Sequence, residues 1–334
     1  MNKLFNTLKI TCSVIGGVIG AGFISGREIM TFFYGYNKFY CSIILFVIFF
    51  LLIYLILRLK SSSLLYIIKR SNVIILLFNI LIMASMLAAT DSLVESLFGI
   101  SKNIPIFSIG LLLLSTLCCL GGFSSLAKVN LVIIPVLILI FFSAIFIIPT
   151  NGENCDTANS NFYSCLSYSC LNIFLVQPFL LKIKEERSDF SPLGVAFLSS
   201  LILVLAIFAF LGVLSEDCIS CDIPLILLAK SNLYLYYLLS LIIFIGIFTT
   251  LTAVQYPFYG IIKGGSASLL IVVSIVGFAI SRIGFYHIVD KIYPTMSVLA
   301  IVYYLILIAI SLFFSLKGQH LHTLTRREGI KLRY

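Results

Sequence analysis

Charge is the scarcest property of this chain. Asp, Glu, Lys and Arg together make up 10% of its 334 residues, against about 25% in a soluble globular domain. That excludes an ordinary water-soluble fold. No stretch between the apolar runs is long enough to fold as a separate domain. Histidine is scarce too. None lies near Cys218-x-x-Cys221 in sequence, and there is no second CxxC, so half of a zinc or redox signature stands without its other half. Ser, Cys, His and Glu do not cluster at membrane depth as an intramembrane hydrolase or acyltransferase would need, so no enzyme is expected. No strand precedes the glycines near the N-terminus, which excludes a dinucleotide-binding fingerprint. No continuous polar stripe runs along several helices, which argues against a passive channel.

What fills the chain is apolar. Hydrophobic residues make up 61% of it and mean hydropathy is +1.16. A membrane span takes about 20 apolar residues. On that rule ten helices are predicted, at about 7–34, 40–58, 72–98, 104–120, 128–149, 162–181, 191–214, 232–261, 266–284 and 294–316. The first is too long, and followed by too many others, to be a cleaved signal peptide. The expected fold class is therefore all-α, a single polytopic membrane domain. Ten helices divide into two repeats of five, about 7–149 and 162–316, with a basic tail over 317–334. An odd number per half inverts one half relative to the other, as in many secondary transporters.

The net charge of +9 does not point to nucleic acid, because the basic residues sit at the ends of spans. With ten helices, Arg27, Lys38, Lys102, Lys230, Arg282 and Lys291 fall on one side, and the other sixteen of the 22 lysines and arginines fall opposite. That bias puts both termini in the cytoplasm. The acidic loops 150–161 and 215–231 are then external, and the basic tail meets anionic lipid headgroups. The lipid bilayer is thus the first expected partner. Nine cysteines are present. Those in spans read as packing residues. Cys155, Cys165, Cys170, Cys218 and Cys221 lie in or beside two loops, and they read equally as disulfide partners or as unpaired thiols.

The stretch from Thr11 to Phe33 is the anomaly. It holds Gly16, Gly17, Gly20, Gly22 and Gly26, then Arg27 and Glu28. Each glycine costs a helix roughly 1 kcal/mol relative to alanine. Spacings of four also suit small-xxx-small packing between helices, but packing leaves Ser25-Gly26-Arg27-Glu28 without a reason. Unwound backbone is tolerated in lipid only where protein buries it or where it lines a cavity. A break in the first span, and a binding site there, are therefore expected. The sixth span is the most polar and contains Pro178, so it is expected to be the matching broken helix of the second repeat.

The string Gly16-Gly17-Val18-Ile19-Gly20-Ala21-Gly22-Phe23-Ile24-Ser25-Gly26-Arg27-Glu28-Ile29, followed by Phe32-Phe33, resembles the opening helix of the YkvI-like bacterial membrane proteins. Those belong to the amino acid–polyamine–organocation (APC) superfamily, whose fold is that of LeuT. Family members usually read GAGFASGQE, and this chain carries Ile24 and Arg27 where a small residue and Gln are usual. Tyr168-x-x-x-Asn172 and Thr249-Thr250 are similar to further family patterns. The resemblance implies a substrate site between broken helices one and six, in a bacterial cytoplasmic membrane. It implies a secondary transporter of a small solute, an amino acid or related amine, or else a ligand-sensing receptor that kept the site and lost transport, as in spore-germination relatives.

Residues follow from these readings. The substrate candidates are Gly20, Ala21, Gly22, Ser25 and Gly26, whose freed N–H groups suit a carboxylate, with Tyr168 and Asn172 on one face of the sixth span. Ser25 bonding its own helix, and Tyr168 and Asn172 bonding between helices, are the plainer alternatives. Arg27 and Glu28 read as an ion pair gating a vestibule, or as groups facing water. Asp91 and Glu95 read as solvated or snorkelling groups at an outer end. No cofactor is expected beyond a coupling ion, Na+ or H+. In sodium-coupled members of the fold the ion lies between helices one and eight, which the resemblance places at the carbonyls of Gly16 and Ile19 with Gly246, Thr249 and Thr250. Threonines bonding back to their own helix are the alternative. A proton-coupled relative would use a lysine of the fifth span, where Lys128 lies at the cytoplasmic end.

Overall fold

The computed structural model describes residues 2–58, 72–120, 123–148, 161–185, 189–260 and 267–328. The chain begins as α1 (Asn2–Val18), α2 (Ala21–Ile24) and α3 (Arg27–Phe33), and continues as α4 (Lys38–Arg58), α5 (Asn72–Phe98), α6 (Ile106–Leu120) and α7 (Phe123–Ile147). Then come α8 (Phe162–Glu185), α9 (Pro192–Leu211), the short α10 (Pro224–Ala229), α11 (Leu233–Gly260) and α12 (Ala267–Ser281). The last are α13 (Phe285–His287), a π-helical turn (Ile288–Ile292) and α14 (Tyr293–Glu328). No strand occurs among the described residues. Five segments are long and apolar enough to cross a membrane, and three shorter apolar helices accompany them. This is an all-α, multi-pass membrane protein.

Local chemistry explains the ends. Ser191 caps α9, its hydroxyl accepting from the Gly194 N–H, with Pro192 in the first turn. In the first span the helix stops at Val18 because the Gly20 N–H turns to the Val18 carbonyl at 2.9 Å instead of closing the helical bond to Gly16. A second interruption falls at Ser25 and Gly26, where Gly26 adopts φ +84°, a conformation that costs a side-chain-bearing residue about 1–2 kcal/mol. A side chain there would also press on the Phe210 ring and on Pro224.

The sixth span corrects an expectation. α8 runs as one unbroken helix from Phe162 to Glu185, through Pro178. It contains no glycine, so nothing in it favours unwinding, and spans tolerate a single proline when neighbours re-satisfy the backbone.

The core sits where α1, α4, α5, α8, α9 and α11 meet. The first span packs along α7, α8, α9 and α11, so its two interruptions lie inside the bundle. Phe23 packs against Phe141 and Phe210 from α7 and α9. Large apolar side chains elsewhere, Leu113 and Phe146 among them, stay exposed, as surfaces that meet lipid must.

Candidate functional site: the interrupted first span

Two clusters flank α2. The first joins the break to α11. Gly246 lies close enough to the first span that a Cβ there would meet the Ile24 side chain and lie 3.8 Å from the Gly20 carbonyl carbon. A Cβ at Gly20 would collide with the Thr250 hydroxyl. Glycine at both positions is what lets the two backbones approach. The Thr250 hydroxyl is buried and, among the described residues, has no hydrogen-bond partner. Thr249 turns back, donating to the Gly246 carbonyl at 3.0 Å. Of the five expected ion ligands, Gly246 and Thr250 thus stand directly at the break. Gly16 has lost its usual donor, Ile19 is buried in the unwound pair, and Thr249 is engaged within its own helix.

The second cluster joins the break to α8. Glu28 folds back over Gly22, and any Cβ at Gly22 would overlap its carboxylate. The Tyr168 hydroxyl donates to Glu28 Oε2 at 3.5 Å. Tyr168 is itself fully buried, its ring 5.3 Å from Phe32 and 5.0 Å from Phe33. Asn172 donates to the Tyr168 carbonyl at 3.0 Å, so its side chain is occupied within α8. The Ser25 hydroxyl is likewise engaged within its own segment, donating to the Gly22 carbonyl at 2.9 Å and accepting from the Arg27 N–H at 3.2 Å. It therefore bonds within its own segment, the plainer of the two readings of this residue. Ala21 lies in α2 between the two clusters.

Arg27 and Glu28 are neither an ion pair nor water-facing groups. They are 2% and 7% exposed, and as neighbours on a helix they point apart. Arg27 pairs with Asp290 at 2.9 Å, donates to the carbonyls of Ile219 and Cys221 at 2.5 and 3.3 Å, and lies 4.0 Å above the Tyr286 ring. The connection between α9 and α11 thereby folds over the break, and the Leu225 N–H donates to the Ser25 carbonyl at 2.9 Å. Asp222 in that connection accepts from Ser92 and Lys102. Burial works against the Lys102 ammonium, but the Asp222 and Glu95 carboxylates beside it hold its pKa above the usual lysine value.

Asp91 departs from its expected solvation. It is buried and paired with Arg282, while Glu95 stays exposed beside Lys102. Among the described cysteines, Cys165, Cys170, Cys218 and Cys221 are free thiols. Cys155 and most of loop 150–161 lie outside the described residues, as do the side chains of Pro178 and Lys128. Sequence reasoning undervalues two groups. Gln255 is fully buried and reaches Thr116, Ser274 and Met83, joining α11 to α6, α12 and α5. Glu28 reads from sequence as a surface group, although an acidic residue inside a run of glycines and phenylalanines is a signal of burial.

No family model matches the chain. It is 24% identical over 315 residues to a protein of Bacillus subtilis (strain 168) described as "Uncharacterized membrane protein YkvI", an alignment covering 84% of this chain and 89% of that one. Along most of its length, then, this multi-pass membrane protein is similar to YkvI.

Proposed function

We propose that the protein is a secondary transporter that carries a small solute, an amino acid or related amine, by alternating access, with the solute held at the interrupted first span. In this reading the fold is the ten-helix, five-plus-five inverted repeat of the APC superfamily, with α8 facing the break as an unbroken helix. The membrane is the bacterial cytoplasmic membrane and both termini are inside, as the lysine and arginine bias supports. The observation that carries the reading is the first span itself. It is cut into three pieces by two buried interruptions, one glycine of which has positive φ. Irregular backbone at membrane depth is a feature of transporter binding sites.

The coupling ion in this reading is sodium, held by the carbonyls of Gly16 and Ile19 and by Gly246, Thr249 and Thr250. The support is the lost Gly20–Gly16 helical bond and the buried, unpartnered Thr250 hydroxyl. Buried polar groups are usually partnered, and among the buried hydroxyls left without a partner in the described residues Thr250 is the one that faces Gly20 at the break. The test is solute uptake by proteoliposomes against sodium concentration at fixed ionic strength. Uptake is expected to rise and saturate with sodium, and Thr250→Ala is expected to raise the half-saturating concentration about tenfold, the worth of one ligand at roughly 1.4 kcal/mol. Uptake that ignores sodium and follows a pH gradient would overturn the sodium assignment.

A further inference from the structure

The ionisable group turned toward the break is an acid, which suits a cationic ligand and not a carboxylate. Two ionisable side chains follow the second interruption. Arg27 is drawn away from it by Asp290, by two loop carbonyls and by the Tyr286 ring. Glu28 turns inward over Gly22. The groups facing it can be taken element by element. From α8 comes Tyr168. From the start of α14 comes Tyr293, within electrostatic reach of the carboxylate. The π-helical turn supplies Asp290, already tied to Arg27 and to the Thr31 hydroxyl. α2 and α9 contain no titratable residue at all. Among the described residues, no lysine, arginine or histidine pairs with Glu28.

A buried carboxylate without a cation is costly; such a group holds its proton until a cation comes to it, and a cation that does come is bound by the ionised form. The surroundings suit an organic cation. The Tyr168 hydroxyl reaches the carboxylate, and its ring packs edge-on against Phe32 and Phe33, so a cluster of the side chains whose faces attract ammonium ions adjoins Glu28. Gly22 keeps clear the surface on which the carboxylate rests. The Arg27 N–H at the start of α3 is meanwhile taken by Ser25.

Resting on the transport-site reading above, we infer that Glu28 is the anionic subsite for the solute's ammonium group, so that the site takes primary amines and does not require a carboxylate on them. The test uses the full chain purified in detergent and follows its melting temperature against ethanolamine hydrochloride, glycine and sodium glycolate at fixed ionic strength. Ligands of the folded state raise it by mass action. Ethanolamine is expected to give a saturating rise and glycolate none. Glu28→Gln is expected to move the ethanolamine midpoint at least tenfold higher. A rise with glycolate but not with ethanolamine overturns the inference, and so does silence from both amines. Because the wild-type series needs no variant, it decides even if Glu28→Gln fails to fold. An unchanged ethanolamine midpoint in a folded Glu28→Gln also overturns it. Uptake of labelled ethanolamine and glycolate by proteoliposomes separates the two readings. Ethanolamine binding without uptake keeps the ammonium subsite and removes transport. Glycolate uptake that Glu28→Gln leaves unchanged keeps transport and removes the subsite.

Discussion

A methyl group at position 20 would have nowhere to go, because the Thr250 side chain already fills the space. Threonine is short and anchored on a helix, so it cannot swing aside as a long side chain would. Gly20→Ala is therefore expected to destabilise the protein by about 1–3 kcal/mol, the usual cost of overpacking. Thr250→Ala removes the two nearest of the obstructing atoms, so the double variant is expected to recover most of that loss. Melting of the three proteins in one detergent checks this, and a Gly20→Ala protein as stable as wild type would show that the contact has slack. The importance of Gly20 is legible in the sequence, since five glycines in one span demand a reason. Its partner is legible only through the resemblance. The burial of Glu28 is only half legible, because its glycine and phenylalanine neighbours signal burial while the Ser-Gly-Arg-Glu run itself reads equally well as a helix end facing water. Which way each charge turns is decided by Asp290, 263 positions from Arg27.

At the scale of elements, that long-range pair organises the approach to the break. Arg27 holds the α9–α11 connection through the Ile219 and Cys221 carbonyls and holds the turn before α14 through Asp290. The two partners are unequal. The Arg27 side chain is 3% exposed and that of Asp290 is 34% exposed. Removing Asp290 strands a buried cation, whereas removing Arg27 leaves a carboxylate that water reaches. Asp290→Ala is thus expected to cost about 2 kcal/mol, at the low end for a broken buried pair because solvent already screens the carboxylate. Arg27→Met is expected to cost less, and the double variant to behave like Arg27→Met alone. Thermal melts arranged as a double-mutant cycle read this out, and the reverse order of severity would show that the pair does not hold the connection. Most helix positions are readable from hydropathy, because an apolar run of span length fits little besides a membrane helix. The predicted helix at about 40–58 is α4 (Lys38–Arg58), and that at about 72–98 is α5 (Asn72–Phe98). The predicted break in the sixth span is missing for a physical reason. Polar side chains and one proline suggest unwinding, but α8 has no glycine to release its backbone, and a span tolerates a single proline when its neighbours re-satisfy the backbone.

At the scale of the whole molecule, the interruptions of the first span sit inside a bundle whose outer surface is apolar, with a connection folded over one side of them. In the proposed transporter, one side of the membrane reaches the solute at the break only after those contacts part. Alternating access and ligand sensing both use such a site, and binding alone does not separate them. Accumulation does. The decisive measurement is the internal concentration of labelled ethanolamine in proteoliposomes carrying the purified protein, under an inward sodium gradient and in its absence. The account expects the amine to rise above its external concentration while the gradient lasts and to fall back when the gradient collapses. Saturable binding of the amine with an internal concentration that never exceeds the external one would contradict it, and would make the protein a receptor.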